Sequence, residues 1–203
     1  GLHLAVASAK VASQIDIWNK ALRCIGESRL TSTSDVQKSA TLLSDAWAGT
    51  YKAEFEANPW SFSIKRTSLA ASATEPEFEW EYAYPLPSDC AFVIDCPELD
   101  RRQWTIESTD DVKTILTKWN QGAALNVRYT SVVDDVSRWP QLFADAVAFN
   151  LAMEICESIT QSNSKMEIAS ARYDAAIKAA RRNNAIELPP VDRLEDDLVL
   201  VRY

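Results

Sequence analysis

Phe78-Glu79-Trp80-Glu81-Tyr82-Ala83-Tyr84-Pro85-Leu86-Pro87-Ser88-Asp89-Cys90 is the stretch whose reading sets the fold class. Phe78, Trp80, Tyr82 and Tyr84 share one parity, and Glu79, Glu81 and Ala83 share the other. Strand side chains alternate between faces, so the pattern predicts a strand with one aromatic and one largely acidic face. Pro85 and Pro87 end it, because proline has no N–H for a ladder. Ser88-Asp89 turns the chain into a second apolar strand from Cys90 to Ile94. Four large rings on one face need cover, and the flanking helices are the expected cover.

Helical period holds on both sides. Ser13 is placed to cap a helix from about Gln14 to Ile25, with Ile15, Trp18, Leu22 and Ile25 as its apolar stripe and Gly26 just past its end. Ser34 with Gln37 reads as a capping box for a second helix reaching Ala57, whose apolar side carries Val36, Ala40, Leu43, Trp47, Tyr51 and Phe55. Asn58-Pro59 stops it and Trp60 anchors it. From Trp60 to Thr130 short strands take over: Ser61–Leu69, the aromatic strand, Gln103–Glu107 and Val112–Trp119. Asn120-Gln121-Gly122 then reads as a hairpin turn into Leu125–Tyr129. Trp139-Pro140 opens a third, nearly all-apolar helix through Leu142, Phe143, Val147, Leu151 and Ile155. Ser164 with Glu167 reads as the capping box of a fourth, closed by Arg181-Arg182.

The expected architecture is α+β: a four-helix core, a strand-rich insertion and an extended tail. Its divisions are an extension at 1–13, helical core at 14–60 and 136–184, β insertion at 61–135, and tail at 185–203. In the tail, Leu198-Val199-Leu200-Val201, followed by Tyr203, forms an apolar run after Pro189-Pro190 and an acidic segment. Such a run needs an edge to pair with, supplied by a partner or by the chain's own sheet.

Composition narrows the chemistry. The 203 residues carry a net charge of −8, which disfavours sequence-independent DNA binding through neutralised phosphates. It permits a DNA path, since an acidic wall repels phosphates. His3 is the lone histidine, and Cys24, Cys90, Cys96 and Cys156 show no metal spacing, so reduced buried thiols, no metal and no cofactor are expected. No apolar run reaches the ~18 residues of a membrane span, and synthesis in the cytosol is expected. No phosphate loop, dinucleotide fingerprint or zinc-protease motif occurs. Glu77, Glu79 and Glu81 are the one carboxylate group worth weighing for glycoside-type hydrolysis, against a solvated acidic stripe. Between Glu75 and Asp111, eleven acids face only Arg101 and Arg102. That segment reads as a solubilising surface, an electronegative lining, or a docking face for a basic partner. The seven tryptophans divide between core and interface anchors.

Four segments in order resemble the head-to-tail adaptor family of short-tailed bacteriophages, to which tail tubular protein A belongs. Asn19-Lys20-Ala21-Leu22-Arg23-Cys24-Ile25-Gly26, preceded by Trp18, resembles its opening "N-x-A-L-x-x-I-G" helix. Pro59-Trp60-Ser61-Phe62, with Arg66 and Leu69-Ala70, resembles "P-W-x-F-A-x-x-R-x-x-L-A". Trp80, Tyr82, Tyr84, Leu86, Pro87, Asp89 and Cys90 resemble "W-x-Y-a-Y-x-L-P-x-D-C". Val127-Arg128-Tyr129, Trp139-Pro140 with Phe143, and Leu151-Ala152 follow in order. Asn58 and Ser63 depart from the family's usual His and Ala. The resemblance covers roughly 14–184 and implies a non-enzymatic virion tail protein assembled in the host cytoplasm. It further implies a ring of twelve subunits below the portal, with nozzle and tail fibres attached beneath and double-stranded DNA passing through. The other classes weighed are a cell-envelope hydrolase using Glu79 and Glu81, and an acidic module that binds a basic partner.

Overall fold

The computed structural model describes residues 12–119 and 124–188. Among the described residues, four helices, α1 (Gln14–Cys24), α2 (Lys38–Ala57), α3 (Gln141–Thr160) and α4 (Asn163–Glu187), enclose a six-stranded excursion in sequence. Its strands are β1 (Ile64–Leu69), β2 (Tyr82–Pro85), β3 (Cys90–Asp95), β4 (Trp104–Thr109), β5 (Val112–Thr117) and β6 (Leu125–Ser131). The fold is mixed α+β.

α1 forms as its sequence dictates. The Ser13 side chain accepts from the Asp16 N–H, and Gly26 takes φ +73°, the left-handed conformation that ends the helix. Asn19 then pins the following loop, its amide donating to the Leu30 carbonyl at 3.0 Å and accepting from the Leu30 N–H at 2.7 Å. α3 is the central rod: Phe143, Ala144, Ala146, Val147, Ala148, Leu151, Ala152, Ile155 and Cys156 are all buried. Apolar residues on so much of its circumference put it between α1, α2 and α4, each of which packs on it.

Two helix starts differ from the sequence reading. α2 begins at Lys38 with Gln37 as an N-cap that makes no side-chain bond, and Val36 is 95% exposed. Asp35 is diverted: its carboxylate accepts from the Thr31 and Ser32 N–H groups, which stabilises a turn in place of the capping box. α4 begins one residue after Ser162, whose hydroxyl accepts from the Lys165 N–H; Ser164 is already inside the helix. α4 also runs to Glu187, so Arg181-Arg182 precede its last turn.

The strands form two antiparallel three-stranded sheets, ordered β1-β6-β3 and β2-β5-β4. Leu69, Leu125, Val127 and Tyr129 of the first meet Tyr84, Trp104 and Ile115 of the second in one apolar cluster. The aromatic strand is therefore covered by the opposite sheet and not by helices. It is also shorter than its pattern. Glu79 takes φ 67°, which breaks the alternation, so regular pairing starts at Tyr82 and leaves Phe78 80% exposed. Ser61–Ser63 forms a 3-10 turn before β1. Among the described residues β5 and β6 do not pair as the expected hairpin: β5 pairs with β2 and β4, β6 with β1 and β3. The true hairpin is β4–β5, turned by Asp110 and Asp111 at φ 51° and 62°, which suit a two-residue primed turn. Residues 120–123, the tail residues Leu198, Val199, Leu200, Val201 and Tyr203, and His3 lie outside the described residues.

Helices and sheets meet in a ring cluster. Phe143 sits 4.7 Å from Phe55, 5.0 Å from Trp139, 5.1 Å from Phe62 and 5.2 Å from Trp60. Replacing Phe143 with Ala is expected to cost about 3–5 kcal/mol, read from the midpoint of urea unfolding, whereas Phe143→Leu should cost distinctly less. Equal losses for the two variants would deny the cluster its central place.

Candidate functional site: the joint between helices and sheets

The residues singled out from the sequence concentrate at one place. Trp60, directly after the Asn58-Pro59 stop, is buried and donates its indole N–H to the Glu54 carbonyl at 2.8 Å. Trp139, before α3, does the same to the Val133 carbonyl at 2.8 Å. Each indole thus fixes the chain entering or leaving the β excursion. Between them, Ser131 donates to the Ser63 carbonyl at 2.8 Å, and both residues are buried. Trp18 and Leu22 lie wholly inside the helical core, and Pro140 caps α3.

Asp89 ties three chain segments at the other side of the joint. Its carboxylate accepts from Lys65 Nζ at 2.7 Å and from the Tyr129 hydroxyl at 3.1 Å, and its carbonyl accepts from the Val132 N–H at 2.7 Å. Burial by itself would raise the Asp89 carboxyl, but the Lys65 and Tyr129 hydrogen bonds and the Lys65 charge hold it below the usual carboxylate range. Burial, then the bond to Asp89, pushes the Tyr129 hydroxyl up to about 12. Tyr84 and Leu86 are buried between the sheets, with Tyr82 and Cys90 half-buried beside them; Pro87 is half-buried in the turn that leads to Asp89. Trp80 is half-buried with Lys118 Nζ 5.8 Å from its ring centre. Arg66 is exposed on β1 directly opposite Arg128, which forms an ion pair with Asp95.

Two polar clamps escaped sequence reading. Asn184 accepts from the Ser61 N–H at 2.7 Å and donates to the Pro59 carbonyl at 2.9 Å, while Ser61 donates to Glu187 at 2.7 Å. Glu54, 3% exposed, accepts from Tyr173 at 2.5 Å and Asn150 at 3.0 Å, joining α2, α4 and α3. The bond to Glu54 and burial drive the Tyr173 hydroxyl well above its ordinary range, burial being the larger cause. The available signal was a carboxylate set three residues after Tyr51 on an otherwise apolar stripe.

Glu77, Glu79 and Glu81 are all exposed on the loop before β2. Cys24, Cys90, Cys96 and Cys156 are free thiols; burial, the largest cause, raises Cys24, Cys90 and Cys96, the last to about 12. Among the described residues no group of three His, Cys, Asp or Glu is arranged to hold a metal ion, and no helix is long and apolar enough to cross a membrane. Two open hollows lie on the helical part: one of about 560 Å³ between α1 and the start of α3, bounded by Lys20, Arg23, Gln141 and Asp145, and one of about 600 Å³ beside the α3–α4 turn.

No protein-family model matches the sequence, and no curated protein matches it significantly.

Two outcomes test the joint. Tyr173→Phe removes a donor from a buried carboxylate and is expected to destabilise by about 1–3 kcal/mol in urea unfolding; no change would mean that Glu54 is satisfied elsewhere. Asp89, with its lowered folded value, adds stability that is complete above the unfolded value of about 3.9 and is lost as pH falls through the folded one. Tyr129, raised to about 12, adds stability that is complete below about 10 and is lost as pH climbs through about 12. Asp89→Asn should therefore melt lower than wild type at neutral pH, the gap closing as pH falls below the unfolded value of about 3.9 and through the lower folded one. A gap that persists at the acid end would overturn this assignment.

Proposed function

We propose that this chain is a structural protein of the virion tail, a head-to-tail adaptor that joins a portal above to a tail nozzle below and continues the DNA channel between them. The observation that carries the reading is the ordered motif series and the way its pieces interlock. Asn19 and Gly26 close the first helix, Trp60 and Trp139 bracket the β excursion, and Asp89 bonds Lys65 from the second motif region and Tyr129 from the fourth. Residues of this kind serve rigidity. A conduit that carries force between two assemblies needs a stiff joint between its ring-forming and projecting parts.

The chemistry of the surface supports the same reading. The acidic balance of the chain suits a wall past which a duplex slides. In this reading the helical core forms a ring of twelve subunits, the sheets project towards nozzle and fibres, and no catalytic step is involved. Closure of a ring by rotation requires each protomer to present two different, complementary faces. Glu77, Glu79 and Glu81 are exposed on one loop, a placement that lends no support to a hydrolase.

The test is the mass of the purified chain by light scattering, alone and with the portal of the same virus. The expected result is a portal complex carrying about one adaptor per portal subunit. A monomer that leaves the portal's mass unchanged would overturn the proposal.

A further inference from the structure

The ring reading requires two complementary faces, and two unpartnered surfaces of opposite charge stand out. The first is the loop 75–81. Phe78 is 80% exposed at its tip, and Glu75, Glu77, Glu79 and Glu81 around it are exposed and make no ion pair among the described residues. The loop leaves β1 at Leu69, the end of that strand away from the joint at Ser63. A large ring left in water is apolar area that a partner surface can bury.

The second surface is the outward side of α4. Only Ala169, Ile177 and Ala180 of its 25 residues are buried. Lys178, Arg181 and Arg182 are exposed along its second half without an ion pair among the described residues, and Ile186, one turn beyond Arg182, is 77% exposed. The 75–111 segment carries eleven acids against two bases, whereas α4 carries five bases (165, 172, 178, 181, 182) against three acids (167, 174, 187). An exposed ring among carboxylates and an exposed isoleucine among cations are matched in both apolar and charged character.

We propose that loop 75–81 of one copy docks on the outward face of α4 of a second copy, with Phe78 against Ile186 and the glutamates facing Lys178, Arg181 and Arg182. The inference rests on the ring reading above and widens it, since one of the two faces lies on the projecting β part and the other on the helical core. The two patches lie on different parts of the protomer, so the contact is heterologous and propagates head to tail. Its charges are exposed and are screened by salt, because the Debye length is about 8 Å at physiological ionic strength.

The experiment is sedimentation equilibrium of the full chain at low and high salt, with two charge-reversal variants. One carries Glu77→Lys, Glu79→Lys and Glu81→Lys; the other carries Lys178→Glu, Arg181→Glu and Arg182→Glu. All six positions are exposed, and near-ultraviolet circular dichroism checks that both variants fold. Wild type is expected to self-associate, each variant alone to do so at least tenfold more weakly, and the two variants mixed to recover wild-type affinity. Recovery on mixing cannot come from misfolding or from net charge alone. Variants that associate as wild type does, a mixture that stays apart, or a wild type monomeric both alone and on the portal would each overturn the proposal. The same samples tested on the portal separate the two readings. If all three chains load normally with intact neighbour contacts, the adaptor reading stands and the docking fails. If association follows the expected pattern while no chain binds the portal, the docking stands and the adaptor reading fails.

Discussion

The structure depends on closing a long excursion. Between Trp60 and Trp139 the chain leaves the helices, builds two sheets, and must return to within contact of its departure point. Loop closure over about eighty residues costs on the order of 4 kcal/mol in chain entropy. The ring cluster around Phe143 offsets it. Phe55 arrives from α2, Trp60 and Phe62 from the exit, Trp139 from the return, and all contact Phe143 of α3. Each buried ring contributes about 2–3 kcal/mol by area, and each pair about 0.5–1.5 kcal/mol more. Rings also have few rotatable bonds, so the cluster fixes an orientation as well as a distance.

Orientation matters because the two hydrophobic clusters are separate. One holds the helices with Ala91, Val133 and Phe92; the other lies between the sheets around Tyr84, Leu125 and Tyr129. Two cores linked by apolar packing alone would slide, since such packing is non-directional. Hydrogen bonds at the joint remove that freedom. The two indole N–H groups, the Ser131–Ser63 bond and the Asn184 amide each satisfy a specific backbone group, and a buried backbone group left without its partner costs about 1–3 kcal/mol. Asn19 uses the same amide geometry to hold its loop. Glu54 extends the scheme inward, using one carboxylate to hold α3 and α4 together against α2. α4 buries few residues yet is held at both its middle and its end.

The sequence was readable where the signal is local. Helical period and caps are set by residues three or four apart, so α1, α3 and the stop at Asn58-Pro59 follow from pattern. The failures have non-local causes. Val36 belongs to the stripe by spacing, but Asp35 prefers the Thr31 and Ser32 amides and the helix starts later. Phe78 has the right parity, but a strand extends only where a neighbour pairs with it, and Glu79 has already turned the backbone. Asn120-Gln121-Gly122 carries hairpin chemistry, yet Leu125, Val127 and Tyr129 are buried by pairing with β1 and β3, and that burial outweighs the turn. The Ser131–Ser63 bond and the Ser61–Glu187 bond link residues 68 and 126 positions apart, beyond the reach of any periodicity. What sequence supplied there was the motif series, which named Trp60, Asp89, Tyr129 and Trp139 without saying what they bond.

The acidic segment admitted three readings from sequence, and its geometry bears on the choice among them. A solubilising surface needs charge and no large apolar side chain; an electronegative lining needs charge facing a duplex, where an exposed phenylalanine contributes nothing. A docking face is the one use in which Phe78 and its glutamates act together, the ring supplying buried area and the carboxylates supplying registry. The same logic applies to Ile186 beside Lys178, Arg181 and Arg182. Spending the 75–81 carboxylates on a neighbour would leave the lining of a DNA path to other acids, such as those of the β4–β5 turn, Asp110 and Asp111, which project from a hairpin tip. On the proposed reading, segregating the two tasks on one chain would reconcile a repulsive lumen with protomers that nonetheless attract, because net charge governs the first at long range and local complementarity governs the second at contact.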